Sequence, residues 1–246
     1  MNTDPSAGWI KADWSAPPGV HALTTTRGFD VGNRSGQAPA DVAASRRLIE
    51  TATIGNIGRL QWLKQVHGDR CVCAHADSIG PQTEADAVWT TEPGIGLAIQ
   101  TADCVPVALA SADGRCIGAA HGGWRGLAGG VIRNLAAAMR SVSPDATLAA
   151  WIGPAIGPKA YEVGMDVHAA VLAATSETLD EQFFRAAGEP DKWRLDLFAL
   201  AEWLLRQAGV ERIACERICT WSNAHFYSHR RDGPTGRMAT VVWMAQ

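Results

Sequence analysis

Between Val20 and Ile152 the chain delivers one short apolar run after another, and this succession most constrains what it can fold into. The runs are Val20–Thr25, Leu60–Val66, Cys71–His75, Ala87–Thr90, Gly96–Thr101, Val105–Ala110, Cys116–Ala120 and Thr147–Ile152. Each has strand length and is rich in β-branched or small apolar residues, bounded by Gly, Asp, Pro or Ser. Helical periodicity appears at Ala40–Thr53, at Leu127–Met139 and most clearly at Trp193–Gln207, where apolar residues recur at three-to-four spacing until Gly209. Two more strands are expected at Ile213–Thr220 and Met238–Met244. Strands arriving in runs, with helices between only some of them, predict an α+β chain with a mixed sheet and helices packed outside it rather than a doubly wound parallel sheet. With no repeat or low-complexity linker, residues 1–246 read as a single domain, with 1–19 as an N-terminal extension.

Composition narrows the function classes. Of 246 residues, 47% are hydrophobic and 19% charged, enough for a large core. The longest apolar stretch, Ile95–Ala110, contains Gln100 and Asp103 and falls short of the ~18 uncharged residues that a membrane helix needs. Met1–Ala16 carries Asp4 and Asp13 and lacks a basic start followed by an apolar run, so the expected location is the cytoplasm. A net charge of −3 gives no reason to expect a nucleic acid partner. The six cysteines then read as free thiols or metal ligands rather than disulfides.

Three polar segments interrupt strand-like surroundings: Gln65-Val66-His67-Gly68, Thr101-Ala102-Asp103-Cys104 and the stretch His121-Gly122-Gly123-Trp124-Arg125-Gly126. Each offers one transition-metal ligand at a turn. His67, Cys104 and His121 together supply the three protein ligands of an open zinc site. Taken singly, each also has an ordinary reading as a loop histidine or a buried thiol. Cys71, Cys73 and His75 alternate along one strand face, but period-two ligands on a flat strand converge poorly, and Cys215 with Cys219 reads as packing. Asp103 is expected to fix a turn or a ligand rather than act as a base.

These segments, with Ile152–Pro158, Tyr161–Gly164 and the tail Ser228–Arg237, resemble the YfiH family, also called laccase-domain or multicopper polyphenol oxidase proteins. The match runs in order from about Thr24 to the C-terminus. The resemblance implies two facing sheets with helices packed outside (α/β/β/α layers) and a metal site of His67, Cys104 and His121. It also implies phosphorolysis of adenosine, inosine and methylthioadenosine, and hydrolytic deamination of adenosine. The older name implies copper, but none of the seven histidines forms the His-x-His pairs typical of multinuclear copper centres, so zinc is expected and copper is the lesser alternative.

Phosphorolysis brings a phosphate dianion to the ribose and requires cationic donors. Arg46 is the preferred phosphate anchor and a catalytic candidate beside the three ligands, with Arg27, Arg230 and Arg231 as further phosphate-binding candidates; Arg125 and Arg237 read more readily as surface cations. Three departures from the family pattern stand out: Ser45 replaces the usual Asn before Arg46, the Gly28–Asn33 segment is altered and shorter, which bears on substrate preference, and His229 stands where an aromatic residue is common. Two rival readings use the same residues. One is a metal-free thiol hydrolase or amidase acting on peptidoglycan precursors, with Cys104 as nucleophile and His121 as base, since the family fold resembles that of a toxin deamidase with such a pair. The other is a binding module using Trp124 and Trp221 as stacking surfaces.

Overall fold

The computed structural model describes residue 6 and residues 8–32, 36–54, 58–76, 80–176 and 180–245. In chain order the first elements are β1 (Ile10–Lys11), β2 (Val20–Thr24), α1 (Pro39–Thr53), β3 (Arg59–Gln61), β4 (Cys71–Cys73) and β5 (Ala87–Thr90). Next come β6 (Ile95–Thr101), β7 (Val105–Ser111), β8 (Ile117–Gly122), α2 (Trp124–Gly129), α3 (Val131–Val142) and β9 (Leu148–Ile152). The remainder is β10 (Glu162–Val163), α4 (Met165–Ala174), α5 (Asp180–Phe183), β11 (Phe184–Ala186), β12 (Trp193–Leu195), α6 (Leu197–Gln207), β13 (Arg212–Cys215), α7 (His229–Asp232) and β14 (Met238–Met244).

Two mixed sheets face each other, in the orders β1-β2-β14-β6-β3 and β13-β9-β7-β8-β5-β4. Strand alternation explains the layering. In β7, Ala108 and Ala110 point to the interface between the sheets, with Leu97 and Ile99 of β6 and Val242 of β14, while Val105, Val107 and Leu109 face the helices α3 and α6. In β6 the intervening Ala98 faces the opposite way, onto Ile49 and Ile54 at and just beyond the end of α1. The result is α1 on one outer face and α3 with α6 on the other. Trp151 fills the space between the sheets with no exposed surface. A small third sheet has the order β10-β12-β11.

Several expected elements shift. The Leu60–Val66 strand stops at Gln61: beyond it Lys64 pairs with Glu84 only as an isolated bridge, and the backbone N–H groups of Val66, His67 and Gly68 are taken by a carboxylate. The Leu127–Met139 helix is two helices split at Gly130, whose φ of 102° lies in the left-handed region. The helix expected from Trp193 begins at Leu197, because Asp196 caps its N-terminus through Ala199 N and Trp193–Leu195 are drawn into the small sheet. The Ile213–Thr220 strand ends at Cys215, just before Arg217 takes a φ of 52°. Within the N-terminal stretch, β1 pairs with β2 and Trp9 is buried against Phe29. Asn33, in the altered loop, lies outside the described residues. Among the described residues no helix is long and apolar enough to cross a membrane.

Candidate functional site

His121 stands near the end of β8 and Cys104 immediately precedes β7, which pairs with it antiparallel in the register Pro106↔His121 and Val105↔Gly122. Adjacent strands therefore bring the thiol and the imidazole to the same end of the sheet. His67 arrives from the β3–β4 connection with a φ of 61°, a left-handed conformation uncommon for a residue with a Cβ. The ligand atoms of His67, Cys104 and His121 lie within 4.8 Å of one another, and they form the one such cluster of donors found among the described residues. Cys104 Sγ is 4.0 Å from His67 Nε2, and the two imidazoles meet edge to face at 4.7 Å.

Glycine keeps this cluster open. A Cβ at Gly123 would lie 2.9 Å from His67 Cδ2, too close for either to stay in place, and in van der Waals contact with Cys104 Sγ at 3.4 Å and His121 Cε1 at 3.6 Å. The donor set, two imidazoles and a thiol, suits a borderline divalent ion such as zinc. Burial by itself raises the Cys104 pKa, but the charges and hydrogen bonds of His121 and His67 outweigh it and hold the thiol at about 6. Burial conversely disfavours the His121 imidazolium, yet Cys104 and Asp86 lift it to about 9. The site thus favours a thiolate, the form that ligates metals or attacks electrophiles.

Sequence reasoning missed Asp86. Its side chain is fully buried and sits 2.7 Å from His121 Nδ1, while accepting from the backbone N–H groups of three successive residues in the His67 loop. The available signal was an acidic residue between Ala85 and Ala87 at the mouth of a strand, which charge alone reads as a solvated turn. Asp103, at φ 97°, accepts from Thr220 Oγ1 at 2.6 Å and Arg230 N at 2.7 Å, and so ties the tail to the Cys104 turn as expected. Cys71, Cys73 and His75 form no ligand cluster.

The cluster lies in a cleft of about 990 Å³ whose walls include Arg46, Trp124, Arg125, Tyr161, His229 and Arg230. Arg46 stacks over Trp62 at 4.4 Å and donates through Nε and Nη2 to Val31 O, which holds the guanidinium at the rim with Nη1 outside those bonds. Burial lowers the Arg46 pKa, opposed by Asp30, but a guanidinium stays charged across the physiological range. Arg230 also reaches the cleft, donating to Glu162 O at 2.9 Å across the Tyr161 ring. Two phosphate candidates do not reach it. Arg231 spends its nitrogens on Asp232 and the carbonyls of Thr220, Trp221, Asn223 and Phe226, and it braces the tail. Arg27 pairs with Asp232 at 3.4 Å over Tyr227. His229 donates from Nδ1 to Gly233 O, while Trp221 is 45% exposed and does not line the cleft.

A sheet sandwich with an open His-Cys-His cluster at the strand ends defines the class, and residues 18–245 match the family described as multi-copper polyphenol oxidoreductase laccase. The chain belongs to this family. Among its curated relatives, the Xylella fastidiosa (strain 9a5c) protein named purine nucleoside phosphorylase is 43% identical over 96% of this chain and 97% of that protein. The Escherichia coli (strain K12) protein named purine nucleoside phosphorylase YfiH is 36% identical over 96% of this chain and 98% of its own. The chain is also similar to a solved Neisseria meningitidis protein (TM-score 0.87, 34% identity, 97% of this chain, 99% of that one). YlmD from Geobacillus stearothermophilus gives a TM-score of 0.87 at 29% identity, covering 97% of each chain.

Proposed function

We propose that this protein is a zinc-dependent purine nucleoside phosphorylase that also deaminates adenosine, working in the cytoplasm on adenosine, inosine and methylthioadenosine. The observation that carries the reading is the convergence of His67, Cys104 and His121 within 4.8 Å in a cleft that Arg46 borders. Relatives bearing the phosphorylase name support it. His67, Cys104 and His121 would hold the ion, and zinc fits better than copper because one three-donor cluster suits a mononuclear centre. Bound there, zinc would supply Lewis-acid polarisation at an open fourth position.

The chain's own residues supply the rest. In phosphorolysis a phosphate oxygen bonds to C1′ of the ribose as the bond from C1′ to the base breaks, and the departing base keeps the electron pair. Arg46, already fixed on one edge by Val31 O and on one face by Trp62, presents its remaining N–H groups to the dianion at little cost in side-chain order. Arg230 adds a second charge in the cleft wall, and Trp124 and Tyr161 offer flat surfaces for the base. Deamination uses the same base pocket: water bonds through its oxygen to C6 of the adenine ring, the C6–N bond breaks, and the amino group leaves as ammonia with a proton that the water gives up.

Elemental analysis should find one zinc per chain, lost in folded Cys104→Ala and His121→Ala proteins. Arg46→Ala should raise the apparent phosphate constant at least about tenfold, as expected for a lost charge-assisted bond. Folded variants that keep stoichiometric zinc would overturn the ligand set, and an unchanged phosphate dependence would move the anion site to Arg230. The thiol reading gains support from the depressed Cys104 pKa beside His121. Full turnover of a chelated, metal-free sample would decide for it.

A further inference from the structure

We propose that Asp86 is the positioning residue of the cluster, a single buried carboxylate that fixes the ring of His121 and the backbone of His67 at once. Oδ1 accepts from His121 Nδ1 at 2.7 Å and from His67 N at 3.0 Å. Oδ2 accepts from Val66 N at 3.1 Å and Gly68 N at 2.8 Å. A carboxylate offers about four acceptor directions, and all are used.

Two consequences follow for the ligands. The short contact at Nδ1 requires a proton there, since two acceptors cannot share it, and so assigns His121 the tautomer whose Nε2 faces Cys104. The three consecutive N–H groups wrap one anion, and this concavity holds His67 in its left-handed conformation with Nε2 turned to the thiol. Asp86 is itself fixed by the same strand pairing: its carbonyl accepts from His121 N at 2.7 Å, and its N–H donates to Arg70 O. Neither His67 nor His121 can shift without disturbing the group that positions the other.

Asparagine nearly matches aspartate in shape but replaces one acceptor oxygen with an N–H donor, which in this pocket must face other donors. The zinc arm of the test rests on the metal reading above; the tautomer arm does not. Asp86→Asn should weaken zinc binding about 10–100-fold in chelator competition. It should also alter the visible spectrum of the cobalt-substituted protein, with the far-UV circular dichroism retained. A variant that merely loses thermal stability, while its folded fraction keeps the native zinc affinity and cobalt spectrum, would overturn the proposal.

A measurement on the native chain needs no variant. In the zinc-loaded protein, ¹H–¹⁵N spectroscopy should find a slowly exchanging proton on His121 Nδ1. A proton on Nε2 with none on Nδ1 would overturn the assignment. If the native chain holds no zinc, the metal reading fails, and the role of Asp86 is then decided by exchange: an Nδ1 proton held on the buried carboxylate exchanges slowly, and one that exchanges as fast as an unpaired imidazole proton would overturn the proposal.

Discussion

At Cys104, burial and charge act in opposite directions, and charge wins. The side chains of His121 and His67 hold the thiol at about 6 against the rise that burial imposes. In metal-free protein the thiol is therefore protonated below about 6 and thiolate above it, so the rate of alkylation by iodoacetamide should level off by neutral pH. His121→Ala should move that midpoint up toward the ordinary thiol range of about 8.5. A native midpoint near that ordinary value would mean that the imidazoles do not stabilise the thiolate. His67, Cys104 and His121 were legible in the sequence because each stands beside glycine or a turn, where a side chain can leave a sheet. Asp86 was not, because its importance lies in bonds to backbone groups of a distant loop. Nor could sequence separate Arg231 from Arg230: adjacent residues on a short helix diverge, one toward the cleft and one into the tail's carbonyls.

At the scale of elements, periodicity located the major strands and the apolar faces of α1, α3 and α6, and it failed where a local cap or a special φ overrides it. The Trp193–Gln207 pattern runs unbroken through Asp196, so only the capping geometry reveals that a strand precedes the helix. Asp196→Ala removes the bond to Ala199 N and should cost about 1 kcal/mol of stability. The partly exposed pairing of Asp196 with Arg217 at 3.0 Å adds little to that. Thermal unfolding should show a correspondingly lower Tm with the native far-UV circular dichroism unchanged, and an unshifted Tm would mean that the cap is dispensable. The small β10-β12-β11 sheet was missed because two- and three-residue strands leave no periodic trace.

For the whole molecule, the two facing sheets are joined through a core in which Trp151 is the largest fully buried side chain. Trp151→Ala should cost about 3–5 kcal/mol, read in denaturant unfolding. A loss much smaller than this would mean that the sheets repack around the vacancy. A mixed sheet with outer helices was legible from the α+β pattern and the facing of two sheets only from the family resemblance, whereas strand order was not legible, because pairing partners lie far apart in sequence. That distance matters most for β14, which lies between β2 and β6 and sets Met238 opposite Thr101 at the strand end that leads to Cys104. On the ribosome, β2 and β6 emerge long before the strand that must sit between them, and each waits with one side of its backbone unsatisfied. Loop closure over so many residues is slow. The cleft is therefore a late product of synthesis: a nascent chain can bury its β7–β8 pair early, but it acquires its finished site only after residue 244 has cleared the exit tunnel.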